Sequence, residues 1–448
     1  GKGKNQVTMD QVDIKHAAAY AGEDAQVTYA LWQYFKPMLS VDHQHVLYER
    51  IERPMMHVIS TMERHGILVD QNRLNELGIE FQEKMDHLEQ EIYDHAGMRF
   101  NLASPKQLGE VLFEHLSIAG SKKTKTGNYV TDADTLEKLS QQGHTVPRLI
   151  HQWRSYAKLQ STYVDGLKNA INPKTNRVHT SSVLTATNTG RFSSTNPNLQ
   201  NIPVRTEEGR KIRSVFIAEQ GYALLSLDYS QIELRLLAHI AHVQPLIDAF
   251  NTGIDIHKLT ASQVFGIPLN DVSDTDRRRA KAVNFGIIYG ISPYGLAEQI
   301  HVSNTQAKDI IQAYMTQYPG IQDYMEEQKT FAHTHGYVKT LFGRKCYTPG
   351  IHDKNGALRQ FAQRQAINAP LQGTNADIIK MAMAEIHVLL NQGYASRMLL
   401  TVHDELVFEV HNDERESLPP LLQRIMENIV HLSVPLKVDM TISQRYDK

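Results

Sequence analysis

The sequence predicts a multidomain α+β protein in which long amphipathic helices accompany a small sheet. The strand signal comes from three short β-prone runs of strand length, at residues 223–227, 399–402 and 406–410. The helical signal comes from long stretches with helical spacing of apolar residues, such as residues 71–96. A chain of 448 residues with 41% hydrophobic side chains can form several cores, so we expect roughly two to four domains.

Composition disfavours several classes of protein. The single cysteine, Cys346, cannot form a disulfide within the chain, which suits a reducing compartment. The sequence shows no apolar run of membrane-spanning length and no export leader, so we expect no membrane partner. A net charge of -2 gives no sign of a nucleic-acid partner, so any such contact must come from local basic clusters. The chain begins without methionine, and we expect a fragment of a longer protein.

Two acidic sites occupy the ends of predicted strands. Asp228 lies where the strand at 223–227 is followed by helical spacing over residues 231–241. Asp404 and Glu405 fit a tight turn between two β-prone runs. Two aspartates presented in this way suit a pair of divalent ions that bridge an attacking oxygen, a phosphate and a leaving group. Each aspartate alone is better explained as a helix cap or a turn residue.

The strongest helical pattern lies at residues 277–290, where one stripe of residues recurs every four positions. The stripe consists of Arg277, Lys281, Phe285 and Tyr289. Two cations followed by two aromatic rings suit a nucleoside triphosphate, whereas a core-facing stripe would not begin with cations. We expect Gly286 and Gly290 each to cost about 1 kcal/mol of helix stability, which predicts a close approach of a ligand to the backbone. No P-loop signature is present, which disfavours ATPases of that class.

Three segments together resemble the motifs of the family A DNA polymerases. Residues 228–235 (DYSQIELR) are similar to motif A, residues 277–290 (RRRAKAVNFGIIYG) to motif B and residues 402–405 (VHDE) to motif C, in the family's order. The resemblance covers nearly the whole chain. It implies a right-hand polymerase fold, with an antiparallel sheet in the palm, helical fingers and a helical thumb, and a remnant of a 3′→5′ exonuclease domain.

The resemblance also implies a division of the chain into segments. These are an exonuclease remnant (1–40), a connection at the palm base (41–69), a thumb (70–152), a first part of the palm with motif A (153–237), fingers with motif B (238–359) and a second part of the palm with motif C (360–448). Tyr20 and Asp24, on one helical face, match the YxxxD pattern of the exonuclease. Taken alone they are explained by a half-buried tyrosine and a solvated aspartate. We expect no proofreading, because the other exonuclease carboxylates would lie upstream.

By the same resemblance, the reaction is template-directed addition of dNTPs to a primer 3′ end, in replication and repair. Asp228 and Asp404 would bind two Mg²⁺ ions, which Mn²⁺ can replace, with help from the backbone carbonyl of Tyr229. Glu405 is a further catalytic candidate. Lys281 would neutralise phosphate charge and donate a proton to pyrophosphate.

The nucleotide-binding positions of the family also match residues of this chain. They are Arg277, Lys281, Phe285, Tyr289, Glu233, Gln231 and His257. Glu233 would pack beneath the sugar and exclude a 2′-hydroxyl, and Phe285, which lacks a hydroxyl, implies discrimination against dideoxynucleotides. A surface glutamate and a structural histidine are the simpler explanations of Glu233 and His257 in isolation.

The resemblance assigns DNA contacts to three groups of residues. They are Arg191, Asn198 and Gln200 in an irregular polar loop; Arg364, Asn368, Gln372 and His403 in later segments; and Asn101, Ser104, Lys106, Lys122 and Lys123 in the thumb. Donors such as Arg and Gln can test pair geometry through minor-groove acceptors that every correct base pair presents. The basic loop at residues 121–128 would contact phosphates, which position DNA without reading its sequence. Such a loop alone is equally explained as solvated surface.

Two other functions share part of this sequence pattern. A non-catalytic DNA-binding protein that kept the cleft would be favoured by loss of Asp228, Asp404 or Lys281, and all three are present. A single-subunit RNA polymerase shares the hand and the acidic pair, but Glu233 and residues 363–377 (QRQAINAPLQGTNAD) favour a DNA polymerase. We expect primer-template DNA and dNTPs as partners, a monomer, and a cytoplasmic location at the bacterial nucleoid.

Overall fold

The computed structural model describes residues 7–203 and 206–446, so the first residues of the predicted 1–40 segment and the last of the 360–448 segment lie outside it. The helices are α1 (Ile14–Val41), α2 (His45–Leu47), α3 (Arg53–His65), α4 (Gln71–Ala96), α5 (Pro105–Glu110), α6 (Ala133–Gln141), α7 (Thr145–Lys158), α8 (Gly166–Ala170), α9 (Glu207–Arg213), α10 (Ile232–Ile240), α11 (Gln244–Thr252), α12 (Ile256–Phe265), α13 (Asp274–Ile288), α14 (Pro293–Ile300), α15 (Asn304–Gln317), α16 (Pro319–His335), α17 (Gly356–Leu390) and α18 (Leu418–Asn428). The strands are β1 (Ile67–Val69), β2 (Arg177–Val178), β3 (Ser181–Val183), β4 (Ser193–Thr195), β5 (Phe216–Ile217), β6 (Tyr222–Tyr229), β7 (Tyr337–Lys339), β8 (Lys345–Tyr347), β9 (Arg397–Val402), β10 (Glu405–His411) and β11 (Val438–Ser443).

A four-stranded antiparallel sheet, in the order β11-β6-β10-β9, carries the predicted acidic residues. Pairing of β6 with β10 runs from Asp228 opposite Glu405 to Tyr222 opposite His411. Strands β9 and β10 are joined by a turn at residues 403–404, so this turn lies beside the end of β6. The three predicted strands are confirmed, and each extends slightly beyond the predicted bounds.

Both faces of this sheet are buried, and each belongs to a different hydrophobic cluster. Leu225 and Leu227 of β6 join the larger cluster, which includes side chains of α10–α18. Leu224 of β6 and Val407 of β10 join a second cluster with side chains of β1 and α4. Because alternate side chains enter opposite cores, β6 shows an almost continuous apolar run instead of the alternation of a half-exposed strand.

The helical segment after β1 forms its own core. Helix α4 packs along α7, and α7 packs against α6. A separate hydrophobic cluster joins side chains between Ile92 and Ile150. Side-chain caps begin two of these helices: Asp70 accepts from the Arg73 amide and Asp132 from the Thr135 amide. Within the described residues, no helix is long and apolar enough to cross a bilayer.

Helix α17 has 35 residues and is about 50 Å long, and it connects the β7–β8 hairpin with the helices beneath the sheet. A buried ionic cluster fixes its position. Arg344 Nε donates to Asp377 Oδ1 at 2.8 Å, and Thr340 Oγ1 donates to Asp377 Oδ2 at 2.8 Å. Lys380 Nζ donates to Glu52 Oε1 at 2.7 Å, and Glu52 also pairs with Arg344. The side chains of Asp377 and Lys380 are fully buried, so each depends on its partner for charge compensation.

We expect Arg344→Ala to lower the free energy of unfolding by about 3–5 kcal/mol, because it leaves Asp377 buried without its main cation. The matched control is Arg53→Ala, whose ion pair with Glu49 is exposed and contributes about 0–1 kcal/mol. Urea unfolding of both variants, followed by circular dichroism, measures the difference. Equal and small losses in the two variants would contradict the structural role of this cluster.

Candidate active site

A cleft of about 1370 Å³ lies at the C-terminal end of β6. Its lining comes from β6, the β9–β10 turn and helices α10, α12, α13 and α17. The predicted residues that line it are Arg191, Asp228, Tyr229, Gln231, Glu233, His257, Arg277, Lys281, Phe285, Tyr289, Arg364, His403 and Asp404. The structure therefore brings together, from distant parts of the chain, all of the residues predicted for metal and nucleotide binding.

Asp228 and Asp404 enter the cleft from neighbouring strands. The Tyr229 amide donates to the Asp404 carbonyl at 3.1 Å, which joins the end of β6 to the β9–β10 turn. His403 has a left-handed backbone (φ 56°), as does Gln231 (φ 54°) immediately before α10. Left-handed residues other than glycine are uncommon, and here they make the two sharp changes of direction that bring both aspartates to the cleft.

The donor set around these aspartates fits a hard divalent cation. The Tyr229 hydroxyl donates to the Met426 carbonyl at 2.7 Å, so the ring points into the core and the backbone carbonyl is the group it can offer. Carboxylate and carbonyl oxygens are the ligands of Mg²⁺, which keeps water and substrate phosphates as its remaining ligands. Among the described residues no group of three or more His, Cys, Asp or Glu could hold a metal.

Glu405 does not line the cleft, although it follows Asp404 directly. Its carboxylate accepts from the Ser226 hydroxyl and, at 3.0 Å, from the Tyr446 hydroxyl. Arg213 lies 3.7 Å from the same carboxylate. These contacts hold Glu405 in the buried interior beside β6, so its position does not support the predicted catalytic role.

Arg277 and Lys281 lie on the α13 side of the cleft. Arg277 Nε donates to Asp255 Oδ2 at 2.7 Å, while Asp255 Oδ1 caps α12 by accepting from the His257 amide at 2.9 Å. Burial would raise the pKa of Asp255, but Arg277 and the amides outweigh it and lower that pKa. Arg277 is therefore held by an ionised partner, whereas Lys281 is exposed in the cleft.

His257 is almost fully buried at the base of this cationic wall. Its Nδ1 accepts from Asn284 Nδ2 at 3.0 Å, and Asn284 Oδ1 accepts from Thr260 Oγ1 at 3.1 Å. Burial, together with the charges of Arg277 and Lys281, lowers the pKa of His257 to about 4. At neutral pH the ring is therefore uncharged, and with Nδ1 accepting, Nε2 carries the proton and is a donor.

Glu233 is buried, only 4% exposed, which excludes the simpler explanation of a surface helix residue. Its carboxylate accepts from Arg191 Nη2 at 2.5 Å and from the Tyr289 hydroxyl. Burial raises the pKa of Glu233, and Arg191 and Tyr289 oppose that rise. Arg191 also lies 3.7 Å from Asp404 Oδ1, so one guanidinium connects the predicted sugar site with the predicted metal site.

Comparison with known proteins decides the family. The model of DNA polymerase family A matches residues 71–448. This chain belongs to DNA polymerase family A. It is 49% identical to the DNA polymerase I of Rhizobium leguminosarum, over 100% of this chain and 45% of that protein. It is 48% identical to the DNA polymerase I of Pseudomonas aeruginosa, over 100% of this chain and 49% of that protein.

Among solved structures, one similar to this family A chain is described as the POL domain of Pol1 from M. smegmatis in complex with DNA primer-template and dNTP. The TM-score is 0.86 at 42% identity, over 91% of this chain and 72% of that chain. The match supports the predicted multidomain α+β fold of a right-hand polymerase. The chain spans about half the length of the curated relatives it matches. Family A DNA polymerases are metal-dependent.

Protein side chains approach the backbone at both glycines of motif B. Helix α13 ends at Ile288, and Gly290 lies beyond it with φ 68°, so the expected cost within the helix was wrong for this residue. A Cβ at Gly290 would lie 3.1 Å from Arg364 Cγ. Gly286 does lie within α13, and a Cβ there would lie 3.1 Å from Ile291 Cγ2. Close packing of Arg364, on α17, and of Ile291, just after α13, thus leaves little room for a Cβ at either position.

Some of the residues predicted to bind DNA in this family A chain lie at the cleft, and others lie away from it. Arg191, Arg364 and His403 line the cleft, and Gln200 Nε2 donates to the Thr401 carbonyl at 3.2 Å, on the strand that leads to it. Three other residues predicted to bind DNA do not line the cleft: Asn198, Asn368 and Gln372. The structure does not bring the thumb residues to the cleft.

The thumb residues have local structural contacts in the absence of DNA. Ser104 caps α5 by accepting from the Gln107 amide, Asn101 Oδ1 accepts from the Ala103 amide at 2.9 Å, and Lys106 lies 3.9 Å from Glu110. Lys122 and Lys123 are exposed in their loop. Their positions are compatible with a phosphate-binding surface and equally with solvated surface.

Tyr20 and Asp24 lie on α1, far along the chain from the cleft-lining residues, and both are exposed. Their assignment to an exonuclease remnant stays a prediction.

Sequence reasoning missed Asn375, whose Nδ2 donates to Asp404 Oδ1 at 2.5 Å. Asn375 lies within residues 363–377, which the sequence analysis singled out, but its contact arises only from the meeting of α17 with the β9–β10 turn.

We expect the neutral state of His257 to contribute to stability above pH 6.5. Its folded-state pKa of about 4 lies below its ordinary value of 6.5, so the unfolded chain binds a proton first as the pH falls. The contribution is complete above about pH 6.5 and is lost as the pH falls through about 4. Thermal unfolding between pH 8 and 4 should therefore show a steeper loss in the wild type than in His257→Asn.

His16→Asn is the matched control, because His16 is exposed and has no comparable burial. This variant should follow the wild-type pH profile. Parallel profiles for all three proteins would show that His257 titrates near its ordinary value, contrary to the burial that the structure describes.

Proposed function

We propose that this chain is a DNA-directed DNA polymerase, a nucleotidyltransferase that adds dNTPs to the 3′ end of a primer paired with a template. The observation that carries the proposal is the meeting of Asp228 and Asp404 in one cleft, opposite the cations and rings of α13. The products are an extended primer and pyrophosphate. Gap filling and primer replacement in replication and repair are the processes that such a reaction serves.

Mg²⁺ is the proposed cofactor, as two ions that Mn²⁺ can replace. Asp228, Asp404 and the Tyr229 carbonyl would hold them, since these are the oxygen donors that β6 and the β9–β10 turn bring to the cleft. When bound, such ions lower the pKa of an attacking hydroxyl and stabilise the charge of the leaving group. The chain's part is to hold its carboxylates in fixed positions, through the strand pairing of β6 with β10.

The α13 wall is the proposed triphosphate site. Arg277 is held in place by Asp255, and its guanidinium and the Lys281 ammonium would offset the charge of the phosphates. The neutral His257 ring can donate its Nε2 proton to a phosphate oxygen without adding charge. Lys281, exposed in the cleft, would donate a proton to the departing pyrophosphate.

Glu233, Tyr289 and Phe285 form the proposed sugar and base site. Glu233 is buried and held from two sides by Arg191 and Tyr289, so its carboxylate cannot move aside easily for a 2′-hydroxyl. Exclusion of this kind acts on the wrong substrate alone, which gives large discrimination without weakening the correct one. Phe285 lines the same cleft and offers a ring face without a hydroxyl.

DNA would lie along the cleft and the thumb. Arg191 and Gln200 are the proposed minor-groove donors, and Lys122 and Lys123 are proposed phosphate contacts in the thumb.

The division into palm, fingers and thumb at the predicted residues is also part of the proposal. Separate hydrophobic clusters for the sheet and for the helices between Ile92 and Ile150 support it. A monomer acting on cytoplasmic, nucleoid DNA is the corresponding cellular proposal.

Asp228→Ala and Asp404→Ala should each reduce primer extension by at least about 1000-fold, because the loss removes a metal carboxylate. Primer-template affinity should change by no more than a few-fold, since these carboxylates contact metal and not DNA. Extension of a labelled primer with Mg²⁺ and dNTPs measures the first quantity, and fluorescence anisotropy of the same DNA measures the second.

Asp439→Ala is the matched control, an acidic residue opposite Asp228 on β11 that lines the cleft without a proposed metal role. It should retain most of the activity. Near-normal turnover by Asp228→Ala or Asp404→Ala would refute the metal assignment, and absence of extension by the wild type would favour a non-catalytic DNA-binding protein.

Glu233→Ala should raise kcat/KM for rNTPs by about 10–200-fold, because it opens the space beneath the 2′-carbon. The value for dNTPs should fall less, since the phosphate and metal contacts remain. Glu233→Gln keeps the volume of the side chain and should retain most of the discrimination. Single-nucleotide incorporation kinetics with matched rNTP and dNTP measure both values.

Glu76→Ala, at an exposed glutamate of α4 that pairs with Arg73, serves as the second control for sugar selection. It should leave the rNTP/dNTP ratio unchanged. A ratio that is equally unchanged in Glu233→Ala would place the selection against ribonucleotides elsewhere.

A further inference from the structure

Asn375 holds the carboxylate of Asp404 from the α17 side. The Asn375 side chain is buried, with 1% of the residue exposed, and its Nδ2 donates to Asp404 Oδ1 at 2.5 Å. The orientation of the amide is determined by its partner, because a carboxylate accepts hydrogen bonds and cannot donate one. The nitrogen must therefore face Asp404.

The other end of this amide is left without a partner. Asn375 Oδ1 is buried and accepts no hydrogen bond from any residue in 7–203 or 206–446. A buried carbonyl without a donor is unfavourable, and native proteins keep few of them. A residue chosen only for packing would avoid this loss, which indicates that the bond to Asp404 has a function of its own.

The backbone of α17 is fixed on both sides of Asn375. The Leu341 amide donates to Thr374 Oγ1 at 3.0 Å, one residue before it. Asp377, two residues after it, accepts from Arg344 and Thr340. Because both groups come from the region of the β7–β8 hairpin, Asn375 is presented to the β9–β10 turn from a rigid support.

Within the described residues, both contacts of the Asp404 carboxylate are made to one oxygen, Oδ1. Arg191 Nη2 lies 3.7 Å from Oδ1, and Asn375 donates to Oδ1. Arg191 is 30% exposed and makes its shorter contact with Glu233. Asn375 is the buried one of the two partners, and among the described residues Oδ2 of Asp404 accepts no hydrogen bond.

We propose that Asn375 is a positioning residue for the metal site, which would fix the orientation of the Asp404 carboxylate before a cation binds. This inference rests on the proposed function, because it assigns Asn375 to the same metal site. Hydrogen-bonded partners of metal-ligating carboxylates orient the ligand before the metal arrives, and their loss weakens metal binding by about 10–100-fold.

The test compares Asn375→Ala and Asn375→Leu with the wild type. Alanine removes the donor and the volume, whereas leucine removes the donor and keeps the volume. The readout is the dissociation constant for Mn²⁺, measured with the protein alone from the electron paramagnetic resonance signal of free Mn²⁺. Circular dichroism and thermal unfolding establish that each variant is folded, and Asp404→Ala defines the loss of the site.

Both Asn375 variants should bind Mn²⁺ about 10–100-fold more weakly than the wild type. Their extension rate should recover as the Mg²⁺ concentration is raised, with KM for dNTP unchanged at saturating Mg²⁺. A structural role would instead lower stability and activity at every Mg²⁺ concentration.

Wild-type Mn²⁺ affinity in both variants overturns the inference while the proposed function stands, provided that Asp404→Ala loses the affinity. Wild-type affinity in the leucine variant alone would show that Asn375 acts through its volume, which also overturns it. If Asp404→Ala binds Mn²⁺ as the wild type does, the proposed metal site itself fails.

Discussion

The pairing of β6 with β10 is the interaction on which the rest of the site depends. It sets Asp228 opposite Glu405 and so brings the turn before Glu405, with Asp404, to the end of β6. A shift of one residue in this register would exchange the side chains of β10 between the two faces of the sheet. Because the two faces enter different hydrophobic cores, such a shift would place each side chain of β10 in the core that it does not fit. The cores on either side of the sheet therefore fix the separation of the two aspartates.

Charges in and around the cleft are of two kinds. Those that are deeply buried have a fixed partner: Glu233 has Arg191, and Asp377 has Arg344. Lys281 and Asp404, which are proposed to meet phosphate and metal, keep access to solvent. This difference follows from desolvation, because an unpaired buried charge is costly, while a group that must bind a transient ligand has to stay accessible. The same sheet and helices thus provide a rigid frame and an open cleft.

Local sequence predicts the parts of the site that depend on local geometry. The strand before Asp228, the turn at Asp404 and the stripe on α13 each follow from residues adjacent in the chain or one helical turn apart. The repeat predicts that α13 continues to Gly290, but the helix ends earlier. The left-handed backbone at Gly290 ends the helix without interrupting the four-residue repeat in the sequence. The fold class is confirmed, and the segment boundaries remain a proposal.

Contacts between distant segments account for what sequence reasoning did not find. Glu405 is next to Asp404 in the chain, yet Ser226 and Tyr446 hold it in the interior. Gly290 lies beyond the end of α13, and Arg364 from α17 approaches its backbone. In each case the deciding partner comes from packing that the spacing of residues along one helix or strand does not describe.

The central claim is that Asp228 and Asp404 together hold the catalytic metal ions. Its most direct test is a crystal structure with primer-template, an incoming non-hydrolysable dNTP and Mn²⁺, in which anomalous scattering locates each ion. The account predicts two Mn²⁺ peaks in the cleft, each within coordination distance of both carboxylates or of the nucleotide phosphates. Peaks that avoid Asp228 and Asp404, with nucleotide and DNA in place, would contradict it.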